Sequence, residues 1–325
     1  IISNMNKEKL MQRCIELGKK TLGLTYPNPN VGALIFYDGK IIGEGYTSEI
    51  GGNHAEINAI NSVREKTLLK NSHLFVTMEP CVHHGNTPPC TDKIIKNQFK
   101  GVFVGCTDPN KLVCGKGIRK LNENKIFVET NVLKKECEEH HKRFITFHTK
   151  KRPYIILKWA ESQDGFISPV QKNNERPFWI SNKYSRQLVH KWRCEEHGII
   201  IGSKTYFLDT PKLDGRNWNK NSNEKFIISN NEITNEPFTQ INYEKKSIIK
   251  LVIDFLYKKN IQSVIVEGGL KTLGTFIDSG IWDEARIFKS KTELKNGTKA
   301  PSIIGSLLLI NKIDNDQLSI IKNIQ

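Results

Sequence analysis

The spacing of hydrophobic residues predicts alternating helices and strands from the start of the chain. Residues 6–23 carry apolar side chains near helical spacing and predict one amphipathic helix. The apolar runs 31–37 and 40–46 predict strands, and Asp38-Gly39 between them is typical of a tight hairpin turn. The next predicted elements are a helix from about His54, a strand over 74–78, a helix from Cys90 and a strand over 102–106. This alternation predicts an α/β layered domain.

A second α/β series follows a charged, proline-containing junction at 150–154. We therefore predict two domains, 1–148 and 149–325. The predicted elements of the second are strands over 154–160, 198–202 and 263–269, a helix over 181–196, a helix ending near Lys259 and a last helix over 270–280. The polar, Asn-rich stretch 217–247 predicts the least regular structure in the chain.

The net charge raises the question of a polyanionic partner. The chain has 325 residues with 49 Lys and Arg against 34 Asp and Glu, a formal charge of +15. Residues 1–150 hold 22 basic and 15 acidic residues, and residues 151–325 hold 27 and 19, so the excess is evenly spread. Because phosphate backbones are bound by clustered charge, this distribution favours no nucleic-acid partner.

Cysteine content and hydropathy bear on the compartment. Seven cysteines form an odd set, and no apolar signal core precedes Met5, which is the expected start residue. Free thiols or metal ligands are therefore expected rather than disulfides, and the reducing cytoplasm is the expected location. No apolar run reaches the roughly 18 residues that a membrane span needs, so no membrane association is expected.

One group of residues has the spacing of a catalytic metal site. His54-Ala55-Glu56 is followed by Pro80-Cys81 and, nine positions later, by Cys90. An imidazole and two thiolates are three zinc ligands, which leaves the fourth tetrahedral position open to water. Zinc lowers the pKa of such a water to about 7, and Glu56 is placed to shuttle protons. This is the H-x-E and P-C…C arrangement of zinc-dependent nucleobase deaminases, with a longer spacing between the cysteines than usual.

Other interpretations of these residues remain open at this point. His54 could be a surface or core histidine, and Cys81 and Cys90 could be small buried hydrophobic residues. The site could also be a structural zinc site without catalysis. His83 and His84 are candidates for substrate contact rather than ligands, because a fourth protein ligand would close the site.

The surrounding motifs closely resemble the bifunctional riboflavin-biosynthesis deaminase/reductase family. They are YPNPNVGALI, GGNHAEINAI, TMEPCVHHGNTPPCTDKII and TDPN…GKGI, between about residues 7 and 148. The resemblance implies a cytidine-deaminase-like three-layer fold that binds zinc through His54, Cys81 and Cys90. It implies that Glu56 is the proton shuttle and that Asn28 lines the pocket of a diaminopyrimidinone ribosyl-phosphate. Asn53 and Val82 depart from the family pattern without removing a ligand.

In the second half, the residues alone give weaker signals. A strand, a glycine pair and a helix in VEGGLKTLGTF could receive a phosphate at the helix N-terminus, or Gly268 and Gly269 could be simple turn residues. Arg193 and Arg216 could hold a phosphorylated substrate or could be solvated surface charges.

The same family resemblance extends over this half and implies a dihydrofolate-reductase-like domain that uses NADPH to reduce a ribosyl group to ribityl. The residues implied along the NADPH site are Ala160, Trp179, Thr205, Asp209, Gly269, Leu270, Lys271, Thr272, Leu273, Gly274 and Thr275. Those implied at the substrate are Arg193, Leu213, Arg216 and Glu267. The cofactor carries the hydride chemistry, and the protein supplies position and electrostatics.

Two departures put the reductase in question. Asp214 stands where the family has a threonine, and the strand that normally follows Arg216 is not evident in NWNKNSNEKFIISNNEIT. The run KFIIS is interpreted as a partial substitute for that strand. An active deaminase with a degenerate reductase domain is therefore the first alternative.

A nucleic-acid base deaminase is a second alternative, disfavoured by the even charge and the complete second domain. The partners expected are a small phosphorylated pyrimidine, no nucleic acid, no membrane and a second copy of the chain in a homo-oligomer.

Overall fold

The computed structural model describes residues 6–83, 88–110, 113–170, 178–216, 218, 223–233, 237–243 and 248–324. The chain divides into two compact units, Ile1–Lys151 and Arg152–Gln325. No helix in these described ranges is long and apolar enough to cross a membrane.

The first unit is an α/β layer structure built on one sheet. Its elements are α1 (Lys7–Lys19), β1 (Gly32–Tyr37), β2 (Lys40–Tyr46), α2 (Ala55–Ser62), a 3₁₀ helix (Lys66–Asn71), β3 (His73–Met78), α3 (Cys90–Lys96), β4 (Gly101–Cys106), α4 (Lys116–Glu123), β5 (Phe127–Glu129), α5 (Lys134–His140) and α6 (Lys142–Lys150). The five strands lie in the order β2-β1-β3-β4-β5. β1 is antiparallel to β2 and β3, whereas β3, β4 and β5 are parallel.

The hairpin turn and the buried strands of this unit form where the sequence predicts them. Asp38 and Gly39 both have positive φ, 43° and 79°, and connect β1 to β2 in the expected hairpin. All six residues of β3 and of β4 are buried, as for strands covered on both faces. Because β3 and β4 are parallel, their carboxyl ends lie at the same edge of the sheet, where ligands bind in open α/β sheets.

The second unit is built on a larger mixed sheet. Its elements are β6 (Tyr154–Glu161), β7 (Phe166–Pro169), α7 (Lys183–Glu195), β8 (Gly198–Gly202), α8 (Ser203–Asp209), β9 (Glu224–Ile228), β10 (Phe238–Ile241), α9 (Ile248–Lys258), β11 (Ser263–Gly268), α10 (Leu270–Asp278), β12 (Glu284–Lys289), β13 (Gly297–Lys299), β14 (Ser306–Ile313) and β15 (Asp316–Lys322). The eight-stranded sheet has the order β10-β9-β8-β11-β6-β12-β15-β14. In this order, the first six strands, from β10 at the edge to β12, are parallel to one another. β15 pairs antiparallel with β12, and β14 pairs antiparallel with β15.

The expectation that a strand is missing after Arg216 is wrong. β9 lies between β8 and β10 and pairs in parallel with both. Phe226 and Ile228 enter one hydrophobic cluster, and Ile227 between them enters the cluster on the opposite face. The residues 224–228 therefore form a strand paired on both sides, and tertiary packing supplies what this short, polar-flanked sequence does not signal.

Two further expectations are corrected by the structure. The first helix ends at Lys19 rather than near residue 23. The second series does not close with the helix after β11, because β12 to β15 follow it and complete the sheet.

Two candidate active sites

The predicted zinc ligands come together at the carboxyl end of β3. His54 directly precedes α2, Cys81 follows β3 by three residues and Cys90 is the first residue of α3. The Nδ1 atom of His54 lies 3.5 Å from Sγ of Cys81 and 3.3 Å from Sγ of Cys90. The three potential ligand atoms all lie within 4.8 Å of one another. They are the only such cluster within the described part of the chain.

Backbone contacts fix the two cysteines relative to each other. The backbone N–H of Cys90 donates to Sγ of Cys81 over 3.3 Å. Thr91 donates its N–H and its hydroxyl to the carbonyl of Cys81, over 3.2 Å and 3.1 Å. The start of α3 is therefore tied to the end of the β3 segment, which explains how thiols nine positions apart can face one ion.

The pKa values of His54 and Cys81 shift in the directions expected for an imidazolium–thiolate pair. Hydrogen bonds with Cys90 and His54, opposed by burial, lower the pKa of Cys81 to about 4. The hydrogen bond with Cys81 raises the pKa of His54 to about 9. One nitrogen and two sulfur donors are a usual zinc set with an open fourth position, so these residues fit the ion.

Glu56 lies beside the cluster in the first turn of α2. Its side chain is buried, and burial raises the pKa of its carboxyl group above the ordinary value while His54 opposes that shift. A carboxyl group with a raised pKa can accept and return a proton near neutral pH.

The other predicted residues of this unit have local contacts. Asn28 is half-buried in the connection between α1 and β1, where its N–H donates to the carbonyl of Thr25 over 2.8 Å. The carbonyl of Asn53 accepts from the N–H of Ser48 over 2.9 Å. His83 is exposed, and His84 lies outside the described residues.

In the second unit, Arg193 and Glu267 form a buried ion pair. Nε and Nη2 of the α7 arginine donate to Oε1 and Oε2 of the carboxylate over 2.6 Å and 2.7 Å. Nζ of Lys158, on β6, lies 3.6 Å from Oε2 of the same carboxylate. Burial alone would raise the pKa of Glu267, but Arg193 and Lys158 outweigh it and lower this pKa to about 2. The sequence analysis predicts Arg193 and Glu267 as site residues but misses Lys158.

Lys158 leaves a signal in the sequence that could have revealed it. It is a single lysine inside the apolar run YIILKWA, and on a buried strand a charged residue requires a partner. Burial lowers its pKa, and Glu267 partly restores it.

The segment after α8 borders this cluster. Nη1 of Arg193 contacts the carbonyl of Asp214 over 3.4 Å, and Nε of the exposed Arg216 donates to Oδ1 of Asp214 over 2.7 Å. The residue that replaces the family threonine therefore orients Arg216. The predicted substrate residue Leu213 is 3% exposed and packs in the core, so any ligand contact there would come from its backbone.

Glycines and a threonine meet where β8 and β11 end. The N–H of Gly269, which precedes α10, donates to Oγ1 of Thr205 on α8 over 2.9 Å. A Cβ on Gly202 would lie 2.3 Å from Oγ1 of Thr272. Glycine therefore permits this close approach, and the first N–H groups of α10 have no side-chain cap. Such a helix start fits the phosphate of a dinucleotide.

The remaining predicted cofactor residues vary in exposure. Leu270, Lys271, Thr272, Gly274 and Thr275 are exposed or partly exposed on α10. Leu273 is 1% exposed and belongs to the core, so its side chain is not available to a ligand. Ala160 is half-buried on β6 and Asp209 is exposed at the end of α8. Trp179 is 56% exposed and lies under the guanidinium of Arg186, 4.9 Å from the ring centre.

Comparisons with known proteins match both units of the chain. A family model described as the cytidine and deoxycytidylate deaminase zinc-binding region matches residues 4–106, and one described as the RibD C-terminal domain matches residues 153–290. With the metal-ligand cluster and the reductase sheet, these matches define a zinc-dependent deaminase joined to an NADPH-dependent reductase.

The chain is 34% identical to riboflavin biosynthesis protein RibD of Aquifex aeolicus over 93% of this chain and 89% of the relative. It is 32% identical to RibD of Bacillus amyloliquefaciens over 92% and 88%. The chain belongs to the RibD family, as its motifs predict.

Solved structures match over the whole chain. Acinetobacter baumannii RibD superposes with a TM-score of 0.88 at 27% identity, covering 98% of this chain and 99% of that one. A Thermotoga maritima diaminohydroxyphosphoribosylaminopyrimidine deaminase/5-amino-6-(5-phosphoribosylamino)uracil reductase superposes with a TM-score of 0.87 at 32% identity, covering 98% of each chain. The protein is a bifunctional deaminase and reductase of riboflavin biosynthesis that uses zinc and NADPH.

Proposed function

We propose that residues 1–148 form the deaminase and residues 149–325 the reductase, and that the residues described above perform the two steps. The first substrate is 2,5-diamino-6-(ribosylamino)pyrimidinone 5′-phosphate. Water replaces its 2-amino group, which leaves as ammonia, and NADPH then reduces the ribosyl group to ribityl.

In the deaminase, His54, Cys81 and Cys90 hold zinc, which supplies an acidified water when bound. Glu56 takes a proton from the attacking water and delivers it to the departing amino nitrogen. Its burial suits this role, because the raised pKa makes the carboxylate a stronger base toward the water and keeps its proton available for the leaving nitrogen near neutral pH. Asn28 contributes to the pocket wall.

In the reductase, NADPH supplies the hydride. The start of α10, with Thr205 beside Gly269, binds the cofactor phosphates, and Ala160, Trp179 and Asp209 contact the rest of the cofactor. Glu267 remains ionised between Arg193 and Lys158 and accepts hydrogen bonds from the ribosyl chain. The exposed guanidinium of Arg216 binds the substrate phosphate, which it can do bidentately.

The observation that carries the deaminase assignment is the His54, Cys81 and Cys90 cluster with Glu56 beside it. The test gives the zinc-loaded protein the diaminopyrimidinone ribosyl-phosphate and NADPH, and follows ammonia and reduced nicotinamide together. Both signals should change. Ammonia release without NADPH loss would mean that the reductase domain is degenerate, and no ammonia release would contradict the deaminase.

The continuity of β9 supports an active reductase, because it restores the strand on which the degenerate alternative rested. Nucleic-acid deamination has no structural observation in its favour. We propose a small-molecule substrate, and binding of single-stranded DNA or RNA that weakens steeply with salt would contradict it.

We also propose that the protein acts in the cytoplasm as a homo-oligomer. β14 is at the edge of the eight-stranded sheet, and its apolar residues Leu307, Leu308, Leu309 and Ile310 are exposed on both faces. An exposed apolar edge strand can pair with a second copy about a twofold axis. Light scattering should give at least a dimer, and Leu309→Lys should weaken it.

A further inference from the structure

The carboxylate of Glu79 is a buried group that the proposed reaction does not use. It lies between β3 and the ligand Cys81, and among the described residues its two oxygens accept hydrogen bonds from four backbone N–H groups. The donors are Gly117 at 2.9 Å and Ile118 at 3.3 Å to Oε1, and Gly115 at 3.0 Å and Asp108 at 3.3 Å to Oε2.

These four donors lie on the described residues of the chain from the end of β4 to the first turn of α4, 107–110 and 113–118, which we call the β4–α4 connection. Gly115 precedes α4 with a φ of 74° and provides no side-chain cap. Glu79, one residue after the end of β3, therefore caps this helix, and its negative charge also suits the helix N-terminus. A single carboxylate joins the metal-ligand segment to the β4–α4 connection.

The two segments also pack backbone against backbone. A Cβ on Gly117 would lie 2.3 Å from the carbonyl oxygen of Pro80, the residue immediately before Cys81. The N–H of Glu79 donates to the carbonyl of Cys106 over 3.0 Å, so the base of the connection is fixed as well. Both ends of the β4–α4 connection are therefore held close to the residues that precede Cys81.

Because β3 and β4 are parallel, this segment leaves the sheet at the same edge as the metal cluster. It includes Asp108, whose buried carboxyl group is close enough to Cys81 for their charges to interact. The described residues of this connection therefore begin at the edge of the sheet where the metal ligands converge.

We propose that Glu79 is a positioning residue of the deaminase, which holds the described residues of the β4–α4 connection against the Pro80-Cys81 segment in the arrangement that binds the pyrimidine substrate. This inference rests on the deaminase function proposed above. It assigns Glu79 no contact with substrate and no proton transfer.

The variant Glu79→Gln tests the proposal. The amide nitrogen of glutamine cannot accept a hydrogen bond, so the N–H groups that bind one of the two carboxylate oxygens lose their acceptor. Because small displacements of binding groups are costly, we expect the KM for the diaminopyrimidinone ribosyl-phosphate to rise about tenfold. The kcat for ammonia release should stay within about threefold of the wild-type value, and the variant should retain one zinc ion per chain. Glu79→Asp, which keeps the charge on a shorter side chain, should recover much of the lost affinity.

Two controls separate positioning from general destabilisation. Lys66→Met removes a charged side chain that donates to the carbonyls of Ile60, Asn61 and Val63 at the end of α2, and it should leave KM unchanged. NADPH-dependent reduction of the deaminated intermediate, measured on the same samples, should not change in any variant.

Amide exchange tests the contact without any substrate. The N–H groups of Gly115, Gly117 and Ile118 should exchange at least about tenfold faster in Glu79→Gln than in the wild type or Lys66→Met. If the wild type released no ammonia, the proposed function would fall, while this exchange would still test the positioning contact.

Several outcomes would overturn the proposal. They are an unchanged KM, a loss of activity that follows loss of zinc, a fall in kcat with KM unchanged, or unchanged amide exchange. If Glu79→Gln is insoluble, Glu79→Asp decides: a KM raised about threefold supports the proposal, and a wild-type KM contradicts it.

Discussion

The two candidate sites are both at carboxyl ends of parallel strands, yet they are built in opposite ways. In the deaminase unit, the reactive groups are soft metal ligands that converge from three segments within 37 residues, from His54 to Cys90. In the reductase unit, Lys158, Arg193 and Glu267 come from three segments spread over 110 residues, and the single carboxylate pairs with both cations. The first site is built to receive a cation, whereas the charged groups of the second are already paired with one another.

This difference follows from what each cofactor supplies. Zinc needs unpaired donors at fixed positions, so the protein itself must present the reactive constellation. NADPH supplies the hydride itself, so the protein needs only backbone N–H groups that bind its phosphates and a few polar contacts that orient it. The deaminase should therefore be sensitive to single reactive groups, whereas the reductase should be sensitive to the balance of buried charge.

Glu56→Gln should have the largest effect, and it tests whether the deaminase depends on a single reactive group. Without the proton carrier, kcat for ammonia release should fall by about 10²–10⁴-fold, the range for general acid–base catalysis. Atomic emission should still find zinc bound, because His54, Cys81 and Cys90 are intact. Reduction of separately supplied deaminated intermediate should proceed at the wild-type rate. A variant that lost zinc together with activity would make Glu56 a structural residue instead.

Glu267→Gln tests whether the reductase unit depends on the pairing of its buried charges. It leaves Arg193 and Lys158 as neighbouring buried cations, and losing one partner of a buried pair costs about 3–5 kcal/mol. We expect the reductase unit to lose stability by that order, with NADPH oxidation falling and ammonia release unchanged. Denaturant unfolding and the two activities measure this.

The matched control for that variant is Glu224→Gln. Glu224 forms an exposed 4.0 Å pair with Lys259 on the same unit, and exposed pairs contribute only about 0–1 kcal/mol. Equal destabilisation by both variants would show that the pairing of Glu267 with Arg193 and Lys158 contributes no more to stability than an exposed pair does.

The two sites also differ in how well the sequence predicts them. The zinc cluster could be predicted because cysteine, histidine and proline in a fixed order are rare by chance and their spacing is set locally by the starts of α2 and α3. The role of Glu79 could not be predicted, since its partners are backbone N–H groups on a distant connection and leave no residue-type signal.

In the reductase unit, the strand β9 was mispredicted because flanking polar residues hide a five-residue run whose burial depends on neighbours on both faces. Lys158 was missed because its partner Glu267 is more than 100 positions away. Leu213 and Leu273 were named from family motifs, and only the structure reveals that their side chains pack inside. Local chemistry could thus be predicted from the sequence, whereas long-range pairing could not.

The smallest expected effect is one in which the two units behave alike. Burial lowers the pKa of His140 in the first unit and of His197 in the second, each to about 4. Because the unfolded pKa is near 6.5, the unfolded chain binds more protons between pH 6.5 and 4. Each unit should therefore lose stability as the pH falls through that window, on the order of 2–3 kcal/mol per histidine.

Isosteric variants separate the two contributions. His140→Gln keeps a nitrogen donor near the carbonyl of Asn30, which His140 contacts at 2.8 Å, and His197→Asn keeps an acceptor for the N–H of Gln262, at 3.2 Å. Hydrogen exchange in β3 and in β11, corrected for its intrinsic pH dependence, measures the stability of each unit separately. His140→Gln should flatten the pH dependence in β3 only, and His197→Asn in β11 only. Unchanged slopes would mean that other groups cause the acid sensitivity, and a slope that changed in both strands would mean that the two units unfold as one.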